Sequence, residues 1–193
     1  MIFRRKVEGV RLTETARFEE LVLPHLDAGY NLARWLARNT QDAEDVVQDA
    51  CVRALKYLGS VRGADARPWF LTIVRHAFYD WCKRNRPAEL VADDNEAMEA
   101  AMDEAAIDPE QAAQRSAENR VLADAVAQLP LIFREVLILR ELEQLSYKEI
   151  ARVADIPIGT VMSRLARARD LLKRSPTLQA MRDPQPETSH ELR

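Results

Sequence analysis

Metal ligands are scarce in this 193-residue chain. Its three histidines, His25, His76 and His190, lie far apart, and its two cysteines, Cys51 and Cys82, form neither a metal-ligand spacing nor a disulfide framework. No metal site is expected, and two isolated thiols suit a reducing cytoplasm. Only five glycines occur, and none builds a phosphate-cradling loop. No apolar run approaches the ~20 residues needed to cross a bilayer, so membrane insertion is not expected. Phe3-Arg4-Arg5-Lys6 is basic, but Glu8 and Arg11 follow where a secretion signal would place an apolar core. Paired acid–base carboxylates and an activated nucleophile are also missing, so the chain reads as a non-enzyme without a cofactor. Runs of alternating or β-branched strand residues are absent too, which leaves an all-α fold.

What is present is charge, unevenly placed. The formal net charge is −3, yet two stretches are basic. One holds Arg62, Arg67, Arg75, Lys83, Arg84 and Arg86 against Asp65 and Asp80; the other holds Arg164, Arg167, Arg169, Lys173 and Arg174 against Asp170. Between them, residues 88–118 carry ten acids, from Glu89 to Glu118, against Arg115 alone. That stretch has few large apolar residues and reads as a flexible acidic linker. The linker separates two small helical domains, 13–87 and 119–175, and a proline-bearing tail, 176–193, reads as flexible.

The first domain shows four helical patterns. Phe18, Leu21 and Val22 begin one, and Leu26, Tyr30, Ala33 and Ala37 mark a second. Thr40 is placed to cap a third, lined by Val47, Ala50, Ala54 and Leu58. After a short loop, Gly59–Ala66, a fourth opens with Pro68 in its first turn and carries the stripe Phe70, Ile73, Val74, Ala77 and Trp81. The second domain has a core face in Phe133, Val136 and Leu137. It ends in Leu145–Arg169, which reads as a helix–turn–helix. Ser146 and Glu149 form a capping box, Ile150, Ala151 and Ala154 face inward, Asp155-Ile156-Pro157 breaks the helix, and Val161, Leu165, Ala168 and Leu172 recur as a buried stripe. The opposite side carries Thr160, Ser163, Arg164 and Arg167, hydroxyls and guanidiniums of the kind that contact phosphates and base edges in a major groove.

Two other faces carry chemistry. On the third helix Gln41, Glu44, Asp45, Gln48 and Asp49 lie opposite the apolar side, a face that by itself reads as solvated. The fourth helix has a second side of Trp69, Thr72, His76, Tyr79 and Lys83 with Arg75 nearby. Aromatics interleaved with bases suit single-stranded nucleic acid, because rings stack on unpaired bases while cations follow phosphates. Trp69 stays open to two readings, core residue or stacking platform.

Asp42-Ala-Glu-Asp-Val-Val-Gln-Asp49 followed by Arg53-Ala54, then Leu129-Pro130, Arg134-Glu135-Val136 and the Ser146–Arg169 run with Gly159-Thr160-Val161-Met162-Ser163-Arg164, resemble the extracytoplasmic-function sigma factors of the sigma-70 family over 18–86 and 121–174. The resemblance implies an alternative sigma factor that binds core RNA polymerase, directs it to promoter DNA and helps melt the duplex. It implies that Asp42, Glu44, Asp45, Gln48, Asp49 and Arg53 contact the polymerase. It assigns the minus-ten element to Arg62, Trp69, Thr72, Arg75, His76, Tyr79 and Lys83, and the minus-thirty-five element to Ser146, Lys148, Thr160, Ser163, Arg164 and Arg167. An anti-sigma factor is the expected regulator and the cytoplasm the expected location. The chain departs from the family at His76, where Asn is common, and at Cys51, where a bulky aromatic is common; Cys51 reads as a small apolar filler. Two rival readings are a helix–turn–helix regulator acting without polymerase, which would need neither the Asp42–Asp49 face nor the aromatic basic helix, and an enzyme acting on nucleic acid.

Overall fold

The computed structural model describes residues 14–61, 66–86 and 117–182. All regular structure among them is helical. We number the helices α1 (14–21), α2 (Leu26–Ala37), α3 (Thr40–Tyr57), α4 (Ala66–Asn85), α5 (Ala117–Ala127), α6 (Leu131–Glu141), α7 (Tyr147–Ala154), α8 (Ile158–Arg174) and α9 (Pro176–Arg182). Short 3-10 turns, Leu23–His25 and Leu58–Ser60, follow α1 and α3. Arg62, the 62–65 part of the loop, nearly all of the acidic linker and residues 183–193 lie outside the described residues.

Helices α2, α3 and α4 pack mutually around Leu32, Leu36, Val46, Ala50, Ala54, Phe70, Val74, Ala77 and Phe78, all essentially buried. Gly29 lets α2 approach α4, since a Cβ at this position would lie 2.5 Å from Phe70 Cε1. The buried stripe of α2 is Gly29, Leu32, Ala33, Leu36 and Ala37; Leu26 and Tyr30 sit at its margin. The cap of α3 is Asn39, not Thr40: the Asn39 side chain accepts from the Asp42 amide at 3.0 Å, and Thr40 is already helical. In α4 the apolar band is wider than one stripe. Leu71, Phe78 and Cys82 are buried beside Phe70, Ile73, Val74 and Ala77, while Trp81 is only half-buried, stacked on Phe78 with Arg86 over its ring.

The second group of helices builds on α6. Phe133 to Leu139 are buried all round, charged residues included, because α6 lies between α8 on one side and α2 on the other. Its contacts continue into α7 (Ile150, Val153) and α8 (Val161, Leu165, Ala168). Val153 belongs to the buried face of α7, with Ala151 at its edge; Leu172 is half-buried at the end of the α8 stripe. Asp155 ends α7 in the left-handed conformation (φ 54°), a position that Asp tolerates better than most residues, and Pro157 caps α8 from just outside it. The tail expectation is corrected over its first residues. Pro176–Arg182 is helical, Pro176 occupying the first turn where no amide is needed, and α9 packs against α5 and α8.

The two groups close on each other. Helix α4 packs on α7, α2 packs on α6, and the apolar core runs through both groups without a break. The Arg134 guanidinium, 2 % exposed, donates to the carbonyls of Ala127 (2.5 Å), Leu129 (3.2 Å) and Leu36 (3.3 Å). Arg38 Nη1 donates to the same Ala127 carbonyl at 3.2 Å. Two cations thus sit where the C-terminal ends of α2 and α5 meet, the ends at which helix dipoles favour positive charge.

Candidate nucleic-acid and polymerase interfaces

Three faces hold the expected site residues. The first is the outer side of α3. Glu44, Asp45 and Gln48 are exposed. Asp42 and Asp49 are half-buried and tied inward: Arg86 Nη2 donates to Asp42 at 3.0 Å, and Arg53 bridges Asp49 (2.8 Å) and Asp80 (2.6 Å). Arg53 therefore joins α3 to α4, and its hydrogen bond holds the Asp80 carboxyl below the usual carboxylate range. The sequence reading missed two residues on this face. Val52 is 62 % exposed and Leu55 50 % exposed, and both continue the row Asp45–Gln48 along α3. They fall outside the stripe Val47–Ala50–Ala54, which was the available signal. Exposed apolar side chains bordered by acids mark a protein-contact surface better than acids alone.

The second face lies on α4. Trp69 is half-buried, and its indole N–H donates to Ser60 Oγ at 3.2 Å; Ser60 in turn donates to the Tyr57 carbonyl at 2.7 Å. Thr72 spends its hydroxyl on the Pro68 carbonyl. Arg53, Tyr57, Arg75, His76, Tyr79 and Lys83 line an open cleft of about 540 Å³. Arg75 lies over the Tyr79 ring, 4.5 Å from its centroid. Both then turn to the second domain: Arg75 Nε donates to Glu135 Oε1 at 2.5 Å and Tyr79 Oη to Oε2 at 3.2 Å. Glu135 is fully buried. Burial pushes its carboxyl up, against the pull of Arg75, and burial beside this carboxylate pushes the Tyr79 phenol far up. Burial, with the Arg75 charge, lowers the His76 imidazole below its ordinary value. Lys83 remains exposed near Asp80 at 3.8 Å.

The third face is α7–α8. Ser146 accepts from the Glu149 amide (3.3 Å) and the Glu149 carboxylate accepts from the Ser146 amide (2.7 Å), completing the expected capping box. Those bonds pull the Glu149 carboxyl below its ordinary value. Lys148 and Ser163 are exposed, while Thr160, Arg164 and Arg167 are half-buried; Ser163 Oγ donates to the Thr160 carbonyl at 3.0 Å. Thr160, Ser163 and Arg167 thus lie on the side of α8 away from Val161, Leu165 and Ala168, whereas Arg164 turns to the flank of that stripe, its Nε buried. Cys51 is half-buried and its thiol is pushed up by that burial, which fits an apolar filler. Among the described residues no group of His, Cys, Asp and Glu could hold a metal ion, and no helix is long and apolar enough to cross a membrane.

A three-helix unit with an acidic-apolar edge and an aromatic basic helix, joined to a helix–turn–helix, defines a two-part DNA-binding protein. Family models agree with each part: Sigma-70 region 2 matches residues 21–87 and Sigma-70 region 4 matches residues 119–172. The chain is 32 % identical to the RNA polymerase sigma-H factor of Pseudomonas aeruginosa over 88 % of its own length and 91 % of that protein's. It is 33 % identical to the ECF RNA polymerase sigma-E factor of Haemophilus influenzae, covering 74 % and 77 %. The sigma factor RpoE bound to the anti-sigma factor NepR from Bartonella quintana superposes with a TM-score of 0.66 at 28 % identity, covering 84 % of this chain and 96 % of that one. The chain belongs to the extracytoplasmic-function sigma factors of the sigma-70 family.

Proposed function

We propose that the chain is an alternative RNA polymerase sigma factor that binds core polymerase through α3, reads a minus-ten element with α4 and a minus-thirty-five element with α8, and melts the first of these. It works in the cytoplasm on core polymerase and promoter DNA under the control of an anti-sigma factor. It performs no chemistry of its own; polymerisation belongs to the core enzyme. The observation that carries this reading is the coexistence, in one chain, of the exposed Glu44–Asp45–Gln48–Val52–Leu55 edge and the Thr160–Arg167 row. A regulator acting without polymerase needs only the second. On the first, apolar Val52 and Leu55 supply contact area while the carboxylates set docking rate and orientation. Glu44, Asp45 and Gln48 are the direct contacts in this scheme, while Arg53 ties α3 to α4 through Asp80, Asp49 holds Arg53 from the same helix, and Asp42 binds Arg86 just past α4.

Arg164→Ala separates the two roles. Loss of a bidentate Arg–base pair costs about 1–3 kcal/mol in discrimination, so transcription from a cognate promoter should fall while co-purification with core polymerase is retained. An equal fall in polymerase binding would mean that Arg164 acts through folding and does not read DNA.

A further inference from the structure

The exposed surface of α8 carries more than hydroxyls and guanidiniums. Met162 is 49 % exposed, and Ile158, one turn before it, is 39 % exposed. Neither belongs to the buried stripe Val161–Leu165–Ala168. Their surroundings differ from those of Val52 and Leu55, which stand in a row with Asp45 and Gln48. Met162 stands beside the exposed Ser163, and Arg167 follows little more than one turn on. Ile158 borders a shallow hollow of about 670 Å³ between α7 and α8, whose charged lining is Lys148 and Arg152 against Asp155. Gly159, between the two apolar residues, has open space where a Cβ would stand, so packing inside the chain does not require glycine there. A bare position lets a partner come close to the helix backbone. The charge around this pair favours an anionic partner that also offers an apolar group. Duplex DNA has one such group in its major groove, the C5-methyl of thymine.

Resting on the reading of α8 as the minus-thirty-five helix, we propose that Met162 selects thymine at one position of that element by packing its side chain on the C5-methyl, while Ser163 and Arg167 bind polar groups beside it. An unbranched thioether chain is flexible enough to follow the methyl as the helix settles in the groove. It has no hydrogen to donate, so it discriminates by what the other bases would lose. Cytosine would press its N4 amino group against an apolar chain, and adenine or guanine their own polar edges, each giving up water without gaining a partner.

The test uses the full chain with core polymerase on a random promoter library and compares the minus-thirty-five elements selected by the wild type, Met162→Ala and Met162→Leu. Wild type and Met162→Leu should share a thymine at one position, and Met162→Ala should lose the preference at that position alone. Replacing that thymine by deoxyuridine removes only the methyl. This should weaken binding of the wild-type holoenzyme about fourfold, the worth of one buried methyl-sized group, and leave Met162→Ala unchanged, so that the two changes are not additive. An element selected by Met162→Ala that matches the wild type's, or a deoxyuridine cost equal in both proteins, overturns the proposal. So does weaker binding of Met162→Ala to core polymerase with the element unchanged, which would make Met162 a protein contact. The two readings fail separately: a chain that creates no start sites with core polymerase sinks the sigma-factor reading, and a random duplex pool selected on the chain alone then supplies the site for the same deoxyuridine comparison.

Discussion

Ser146 and Glu149 show how much a pair of side chains decides at the residue scale. Their reciprocal bonds satisfy two amides that the first turn of α7 would otherwise leave without a helical partner. Ser146→Ala should lower the stability of the folded chain by about 1 kcal/mol, seen as a lower melting temperature with unchanged helix content. The same pair has a pH signature. The Glu149 carboxyl is depressed below its unfolded value by the bonds to Ser146. A depressed acid contributes stability that is present above its unfolded pKa and is lost as pH falls through the folded one. The melting temperature should therefore drop on acidification below the ordinary carboxylate range, and the part due to this box should vanish in Glu149→Gln. A drop of the same size in both proteins would assign the acid sensitivity to other carboxylates. This box was legible in the sequence because its partners are three residues apart. Arg53, Asp80 and Asp49 were not legible as a unit, since their meeting depends on how α3 lies on α4.

The close approach of α2 to α4 belongs to the element scale. Gly29→Ala would gain about 1 kcal/mol in helix propensity, but the added Cβ would meet Phe70 Cε1 at 2.5 Å, and Phe70 is fully buried. Overpacking of a well-filled core costs about 1–3 kcal/mol, so the clash should win and Gly29→Ala should melt at a lower temperature; a higher one would mean that α2 and α4 are further apart than described. Helices with one apolar side were readable: the α3 stripe Val47–Ala50–Ala54–Leu58 and the α8 stripe Val161–Leu165–Ala168 are buried as their spacing indicates. Helices α4 and α6 were readable only on one side. Each is covered by two or more neighbours, so Leu71, Phe78 and Cys82, or Ile138 and Leu139, are buried away from the first stripe. Periodicity reports one partner well and a second partner poorly. Helix α9 escaped notice because three prolines in the tail suggested fraying, whereas Pro176 starts the helix.

At the scale of the whole molecule, the two parts share one continuous core and two buried carboxylates, Glu135 and Glu143. The acidic face of α3 and the aromatic and basic faces proposed for DNA were visible as patterns along single helices. Their mutual cover was not, because it depends on Glu135, an acid inside the apolar run Phe133–Leu139, whose partners lie 60 and 56 positions away in the chain. A charged residue in such a run is a signal in itself: a group that cannot stay buried alone must have a distant partner. The acidic face of α3 is correspondingly less uniform than it reads, with Asp42 and Asp49 facing inward to arginines and Val52 and Leu55 facing out. The central property is that this chain makes core RNA polymerase start at chosen sites. Transcription by purified core polymerase on a random promoter library, with and without the chain, followed by mapping of RNA 5′ ends, tests that claim most directly. The account predicts that adding the chain creates discrete start sites downstream of two shared sequence elements, and that identical 5′ ends with and without it would contradict the claim.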